Sequence, residues 1–154
     1  MEATTGLTEV AGFPVDLARA YHPDTHLWVL SLDGGRVRVG LDALGVETSG
    51  SIAALAFVEP GTDLRAGEPF GSLEAAKFVG PFLTPVSGRV AAVNEAVLAD
   101  PSMVDRDPYG AGWLIDLEAA PPGAADGLVR GAAEVSAWFA GKVEDYRLKG
   151  VLAE

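Results

Sequence analysis

Gly71-Ser-Leu-Glu-Ala-Ala-Lys77-Phe-Val-Gly-Pro-Phe-Leu-Thr-Pro-Val-Ser-Gly88 sets one lysine between two short apolar runs and closes on a Ser-Gly turn. Residues 69–76 and 82–86 predict strands, since short apolar or alternating runs bounded by turn residues suit half-buried β-structure. Lys77, alone between them, is a charged amine that is either solvated at a turn or used chemically. The pattern extends both ways. Trp28-Val-Leu-Ser-Leu, Asp33-Gly-Gly and Arg36-Val-Arg-Val-Gly-Leu predict a hairpin. Further strands are expected over 50–58, 88–93 and 113–117. Turns fall at Pro60-Gly61, Ala66-Gly67, Ser87-Gly88 and Pro108-Tyr-Gly, where glycine tolerates positive φ or proline presets it. From Leu27 to about Leu117 the chain therefore reads as a mainly β domain, a small barrel or sandwich.

The flanks differ from this body. Residues 1–20 are expected to be an N-terminal extension with the first ten disordered, and Phe13-Pro-Val-Asp-Leu-Ala to form one docking turn or helix. Pro121-Pro-Gly-Ala-Ala-Asp predicts a loop. Beyond it Val129, Ala132, Val135, Phe139, Val143 and Tyr146 recur at helical spacing, so residues 121–154 read as a linker and a C-terminal helix packed on the β body. Gly131 and Gly141 each cost such a helix about 1 kcal/mol relative to alanine, so docking must hold it.

Composition removes several function classes. The chain has 154 residues, 49% of them apolar, enough for one domain with a modest core. A net charge of −11 repels phosphate backbones and anionic membranes, which argues against nucleic-acid and membrane partners and for basic protein partners. With no cysteine, thiolate nucleophiles, disulfides and zinc-thiolate sites are excluded, and a reducing compartment suits the chain. MEATTGLTEV lacks the basic and apolar regions of a signal peptide and no run is long enough to span a bilayer, so the expectation is a cytoplasmic protein.

Self-contained catalysis finds little support. His22 and His26 have the spacing of two ligands on a helical face, but Pro23 and the following strand oppose a helix there, and no carboxylate cluster completes a metal site. No serine sits in a nucleophile elbow, and no glycine-rich turn matches a phosphate-cradling loop. Asp105 and Asp107 lie in a turn-like stretch and read as solvated. No catalytic residue and no metal ligand is assigned, and the chain reads as a non-catalytic subunit.

Over residues 21–117 the chain resembles the glycine cleavage system H-protein family. Tyr21 and Pro23, His26-x-Trp28-Val29, Val39-Gly40, Phe57-Val58-Glu59 and Gly67-Glu68-x-Phe70-Gly71 carry the resemblance. It continues through Glu74-x-x-Lys77, Pro85-Val86-Ser87-Gly88-x-Val90, Val93-Asn94 and Asp107-Pro108-Tyr109-Gly110-x-Gly112-Trp113. The resemblance implies a barrel-sandwich hybrid fold over residues 21–120, with Lys77 exposed at a β-turn as the attachment point of lipoate. A lipoate ligase or lipoyl transferase would form that amide, and Glu74 matches the acidic position implied in recognition by the modifying enzyme. The dithiolane would carry a group and electrons between partner oxidoreductases and transferases, and tethering raises the group's effective concentration at each docked partner. Biotin is the rival group on this fold, but biotin carriers flank their lysine with methionines, where this chain has Ala76 and Phe78.

Departures from the family bear on pathway. Leu27 replaces the acid of His-Glu-Trp, Asp42-Ala-Leu44-Gly-Val46 replaces Thr-Asp-Tyr/His-Ala-Gln, and Gly80-Pro81 replaces a Ser-Asp pair. The resemblance puts those polar positions near the loaded arm, and a desolvated amine without partners is costly. Leu27, Leu44 and Pro81 thus suit a less polar cargo. The leading expectation is a specialised carrier outside glycine cleavage, in lipoate-dependent sulfur oxidation or as a lipoyl relay. Its near-equal alternative is a true H protein carrying aminomethyl among the glycine cleavage P, T and L proteins. An alternative of another class is an acidic interaction module with Lys77 unmodified.

Overall fold

The computed structural model describes residues 6–119 and 127–152. Two sheets face each other. The larger is six-stranded, in the order β3-β4-β5-β11-β10-β7, from β3 (Ala20–Tyr21), β4 (Leu27–Leu32), β5 (Arg36–Leu41), β7 (Asp63–Leu64), β10 (Gly88–Val93) and β11 (Ile115–Glu118). The smaller is three-stranded, in the order β6-β8-β9, from β6 (Ile52–Phe57), β8 (Pro69–Ala75) and β9 (Val79–Leu83). All pairings are antiparallel. With a helix α4 (Ala132–Leu148) against one side, this is the mainly β, barrel-sandwich hybrid architecture with a C-terminal helix that the sequence implied.

Alternation builds the core. Val37 and Val39 on β5, Leu73 and Ala75 on β8, and Ile115 and Leu117 on β11 point inward and join one buried cluster between the sheets, which Phe70 enters beside a register shift between Pro69 and Gly71. Positive φ at Gly34 and Gly35 closes the β4–β5 hairpin. A second cluster joins Tyr21, Trp28, Leu44 and Tyr109 to Val135, Phe139 and Val143 of α4, three residues four apart on one helical stripe. Trp28 is fully buried, its Nε1 donating to the carbonyls of Leu41 and Pro108 at 3.1 Å each. Its ring lies flat on Gly40, where a Cβ would stand 2.2 Å from Cζ2.

Several boundaries differ from expectation. Phe13-Pro-Val-Asp-Leu-Ala forms no helix: Phe13–Val15 is strand β2, paired with β1 (Thr8–Val10) within the first ten residues expected to be disordered. Val10 and Val15 bury against the second cluster, which orders this hairpin. Residues 1–5 and the expected loop at 121–126 lie outside the described residues. Val129 is a bridge partner of Tyr21, not helix, and Gly131, with φ +92°, caps α4 from outside and so carries no helical penalty. The strand after Lys77 begins at Val79, earlier than expected, because Gly80 and Pro81 are accommodated on the edge strand β9. Three short helices were not anticipated: α1 (Ala43–Ser49), α2 (Glu95–Ala99) and α3 (Ser102–Arg106).

Candidate functional site: an exposed lysine at a strapped hairpin

The β8–β9 hairpin turns through Ala76-Lys77-Phe78, with the Ala75 N–H donating to the Phe78 carbonyl at 2.8 Å. At the opposite end of the hairpin, Phe57, Phe70 and Phe82 stack in succession, with ring centroids 6.3 and 5.2 Å apart, which anchors its base in the core. Lys77 is exposed at its apex. Glu74, three residues earlier, is exposed on the outer face of β8, paired across to Val79 and Ala54. The two sequence-predicted site residues thus share one hairpin. Phe78 and Val79, 46% and 73% exposed, make the ground around the lysine apolar.

A second element holds the turn. The Lys77 N–H donates to the Ser49 carbonyl at 2.8 Å, and the Ala76 N–H to the Ser51 carbonyl at 2.9 Å. Ser49 ends α1, whose N-cap Asp42 accepts from the Gly45 N–H at 2.8 Å and whose C-cap Gly50 has φ +78°. Sequence reading missed this helix, although an N-capping aspartate eight residues before a glycine was the available signal.

Between α1 and the hairpin runs a cleft of about 370 Å³. Its wall is mostly apolar, with Leu27, Leu41, Leu73, Phe78, Pro81 and Phe82. Leu27 and Pro81 therefore both border this cleft, with Phe78 of the Lys77 turn. Leu44 does not: it is fully buried in the second cluster, on the other side of α1. The expectation of Leu44 at the loaded arm is corrected accordingly, because helical geometry turns it toward Trp28 and Tyr109.

His26, also on the cleft, is spent on a buried network. Its Nδ1 lies 3.1 Å from Asp42 Oδ2 and its Nε2 2.8 Å from the Tyr146 hydroxyl on α4. With the carboxylate accepting, Nδ1 carries the proton and Nε2 accepts from Tyr146. Burial pushes the Tyr146 phenol up, with the Asp42 charge adding to it. His22 uses Nδ1 to accept from the backbone N–H groups of Asp24 and Thr25, at 3.1 and 3.3 Å, and its pKa is lowered chiefly by burial. The imidazoles thus serve separate turns. Asp105 and Asp107 are not simply solvated: Asp105 Oδ2 accepts from the Ile52 N–H at 3.4 Å and is pushed up by burial, and Asp107 Oδ2 accepts from the Ala111 N–H at 2.9 Å. Among the described residues no helix is long and apolar enough to cross a membrane.

Comparison with known proteins addresses the family. The model described as "Glycine cleavage H-protein" matches residues 19–143. The chain is similar to the glycine cleavage system H protein of Mycobacterium sp. (strain KMS), 39% identical over 101 residues covering 66% of this chain and 77% of the relative. It is 36% identical to that of Mycobacterium leprae (strain Br4923) over 120 residues, 78% of this chain and 89% of the relative. The crystal structure of a glycine cleavage system H protein from Mycobacterium marinum superimposes with a TM-score of 0.70 at 32% identity, covering 84% of this chain and 99% of that one. On this fold, with this match over most of its length, the chain belongs to the glycine cleavage H-protein family.

Proposed function

We propose that the chain is a lipoyl carrier, with lipoate held as an amide on Lys77 Nζ, working in the cytoplasm among the glycine cleavage enzymes and catalysing no step itself. The observation that carries this reading is a lysine exposed at the apex of a three-residue turn held by two backbone hydrogen bonds to the α1 end, beside a cleft of about 370 Å³. The residues present suit the attached group: the amine is accessible, its backbone is fixed by two hydrogen bonds to the α1 end, and the surrounding apolar surface tolerates an alkyl chain. When bound, lipoate would supply a dithiolane that accepts a group reductively and releases it to a second enzyme. Glu74, on the same hairpin, supplies a carboxylate for recognition by a lipoate ligase or lipoyl transferase. Intact mass and peptide mapping of protein from its native host test the reading. A lipoyl adduct on Lys77 is expected, and a bare lysine in a host that lipoylates other proteins would favour the unmodified interaction module.

The relatives' shared name favours the decarboxylase, the aminomethyltransferase and dihydrolipoyl dehydrogenase as partners. A second reading has one observation in its favour, the apolar cleft wall at Leu27 and Pro81. An ammonium against that face would meet only apolar side chains, its polar partners being confined to Asp24, Thr25, Thr48 and Ser49 elsewhere on the cleft. An uncharged cargo outside glycine cleavage, as in sulfur oxidation or a lipoyl relay, would need none. Exchange of labelled bicarbonate into glycine with the lipoylated chain and its host's decarboxylase separates the two. Exchange is expected for glycine cleavage, and its absence with a competent decarboxylase favours the uncharged cargo.

A further inference from the structure

Gly50 lies at the end of α1, twenty-seven residues before Lys77, yet the two meet. A Cβ at Gly50 would stand 3.2 Å from Lys77 Cε, 3.4 Å from Lys77 Cγ and 3.2 Å from the Ala76 Cβ. The lysine stem therefore lies across the helix end at two of its carbons, closer than a side chain on Gly50 would allow without the stem giving way by a few tenths of an ångström. The backbone agrees, since Ser49 and Ser51, on either side of Gly50, accept the amides of Lys77 and Ala76. Positive φ at Gly50 allows this approach, because it turns the chain out of α1 without a side chain in the way.

We propose that Gly50 is a positioning residue for the modification of Lys77: by letting the stem lie flat on the α1 end, it fixes the direction in which the ε-amine leaves the turn. The inference rests on Lys77 being the attachment site. Lipoylation from an activated acyl donor, an acyl adenylate or a thioester, is an aminolysis. The deprotonated Nζ attacks the carboxyl carbon, the C–N bond forms, the activating group departs with its bonding pair, and the nitrogen gives its surplus proton to solvent. Four rotatable bonds separate Nζ from the backbone, and a stem held at Cγ and Cε has fewer orientations to lose when the amine enters the ligase. Glu74 would mark the hairpin for the enzyme, and Gly50 would aim the nucleophile.

The test uses the full chain, a lipoate ligase and lipoate with ATP. Gly50→Asn sets a Cβ against Lys77; because φ +78° with ψ −171° is a conformation essentially confined to glycine, it also strains the backbone, so its urea midpoint is measured beside its rate. Gly34→Ala, at φ +76° with nothing within 4 Å, is the strain control. For Gly50→Asn, kcat is expected to fall about tenfold, from misaimed attack. KM stays within about twofold, because docking on the hairpin surface is untouched. Gly34→Ala should modify at the wild-type rate. Independently of any variant, wild-type protein should give nuclear Overhauser contacts from the Gly50 Hα protons to the Lys77 Hγ and Hε protons. A wild-type rate for Gly50→Asn, or absence of those contacts, overturns the positioning role while leaving the carrier reading intact. Failure of the wild-type chain to accept lipoate on Lys77 overturns both.

Discussion

Replacing Asp42 by alanine should remove two things at once, and the structure separates their sizes. Asp42 is fully buried, one oxygen capping α1 through the Gly45 N–H and the other 3.1 Å from His26 Nδ1. Losing an N-cap costs about 1 kcal/mol. Leaving the His26 Nδ1–H buried without an acceptor adds about 1–3 kcal/mol. The sum, about 2–4 kcal/mol, corresponds to a fall in Tm of about 5–15 °C for a chain of this size. Asp42→Asn keeps a capping oxygen and sets its NH2 against His26 Nδ1, which accepts once the imidazole switches tautomer and Nε2–H donates to the Tyr146 oxygen, so it should lose only about 1 kcal/mol. Urea unfolding of the unmodified protein near pH 7.5, followed by tryptophan fluorescence, gives both values from the midpoint at constant m. An Asp42→Ala midpoint indistinguishable from wild type, or an Asn variant as unstable as the Ala variant, would refute this account of cap and network.

Three further outcomes follow from packing and titration. Gly40→Ala should cost about 3 kcal/mol or more, because the added carbon overlaps the Trp28 ring and displacing it also strains its hydrogen bonds; a near-native unfolding midpoint would contradict the contact. Phe139→Ala, which empties a fully buried position between α4 and Phe13, should lose about 3–5 kcal/mol in the same assay, and a loss under about 1 kcal/mol would mean that α4 is not docked as described. His22 has a folded pKa below its ordinary value of 6.5, so the unfolded chain takes the proton first and stability should fall as pH drops below 6.5 toward the folded value. His22→Gln should flatten that part of the stability profile, and an unchanged slope would count against it.

The β body was legible because its strands alternate and its turns carry glycine and proline at the positions that need them. Val37, Val39, Leu73 and Leu117 all point where their spacing put them. What sequence hid was of two kinds. Helix α1 is only seven residues long, and its residues look like a strand tail and a loop unless its two caps are read together. The contact between Gly50 and Lys77 is non-local, and so is the chain from Asp42 through His26 to Tyr146, which spans 120 residues between the imidazole and the phenol. Neither leaves a periodic trace. At the site, a lysine alone between two apolar runs drew attention to Lys77, whereas Glu74 was marked only by the resemblance to the H-protein family. Residue type and spacing could not tell that Leu27 would border the cleft while Leu44 turned inward, because that depends on which face α1 presents.

The two amides of the turn bear on how the hairpin breathes. Tips of β-hairpins ordinarily exchange their amide hydrogens with solvent fast, since nothing beyond the turn covers them. Here the Lys77 and Ala76 hydrogens are donated to carbonyls of another element, so releasing them requires the hairpin and the end of α1 to part. Side-chain exposure and backbone protection are therefore uncoupled at one residue: the amine faces solvent, while the amide beneath it should exchange only when those two elements part. Were a group carried on Lys77, its motion would belong to what lies beyond the stem, because the backbone of the pivot is tied to the end of α1.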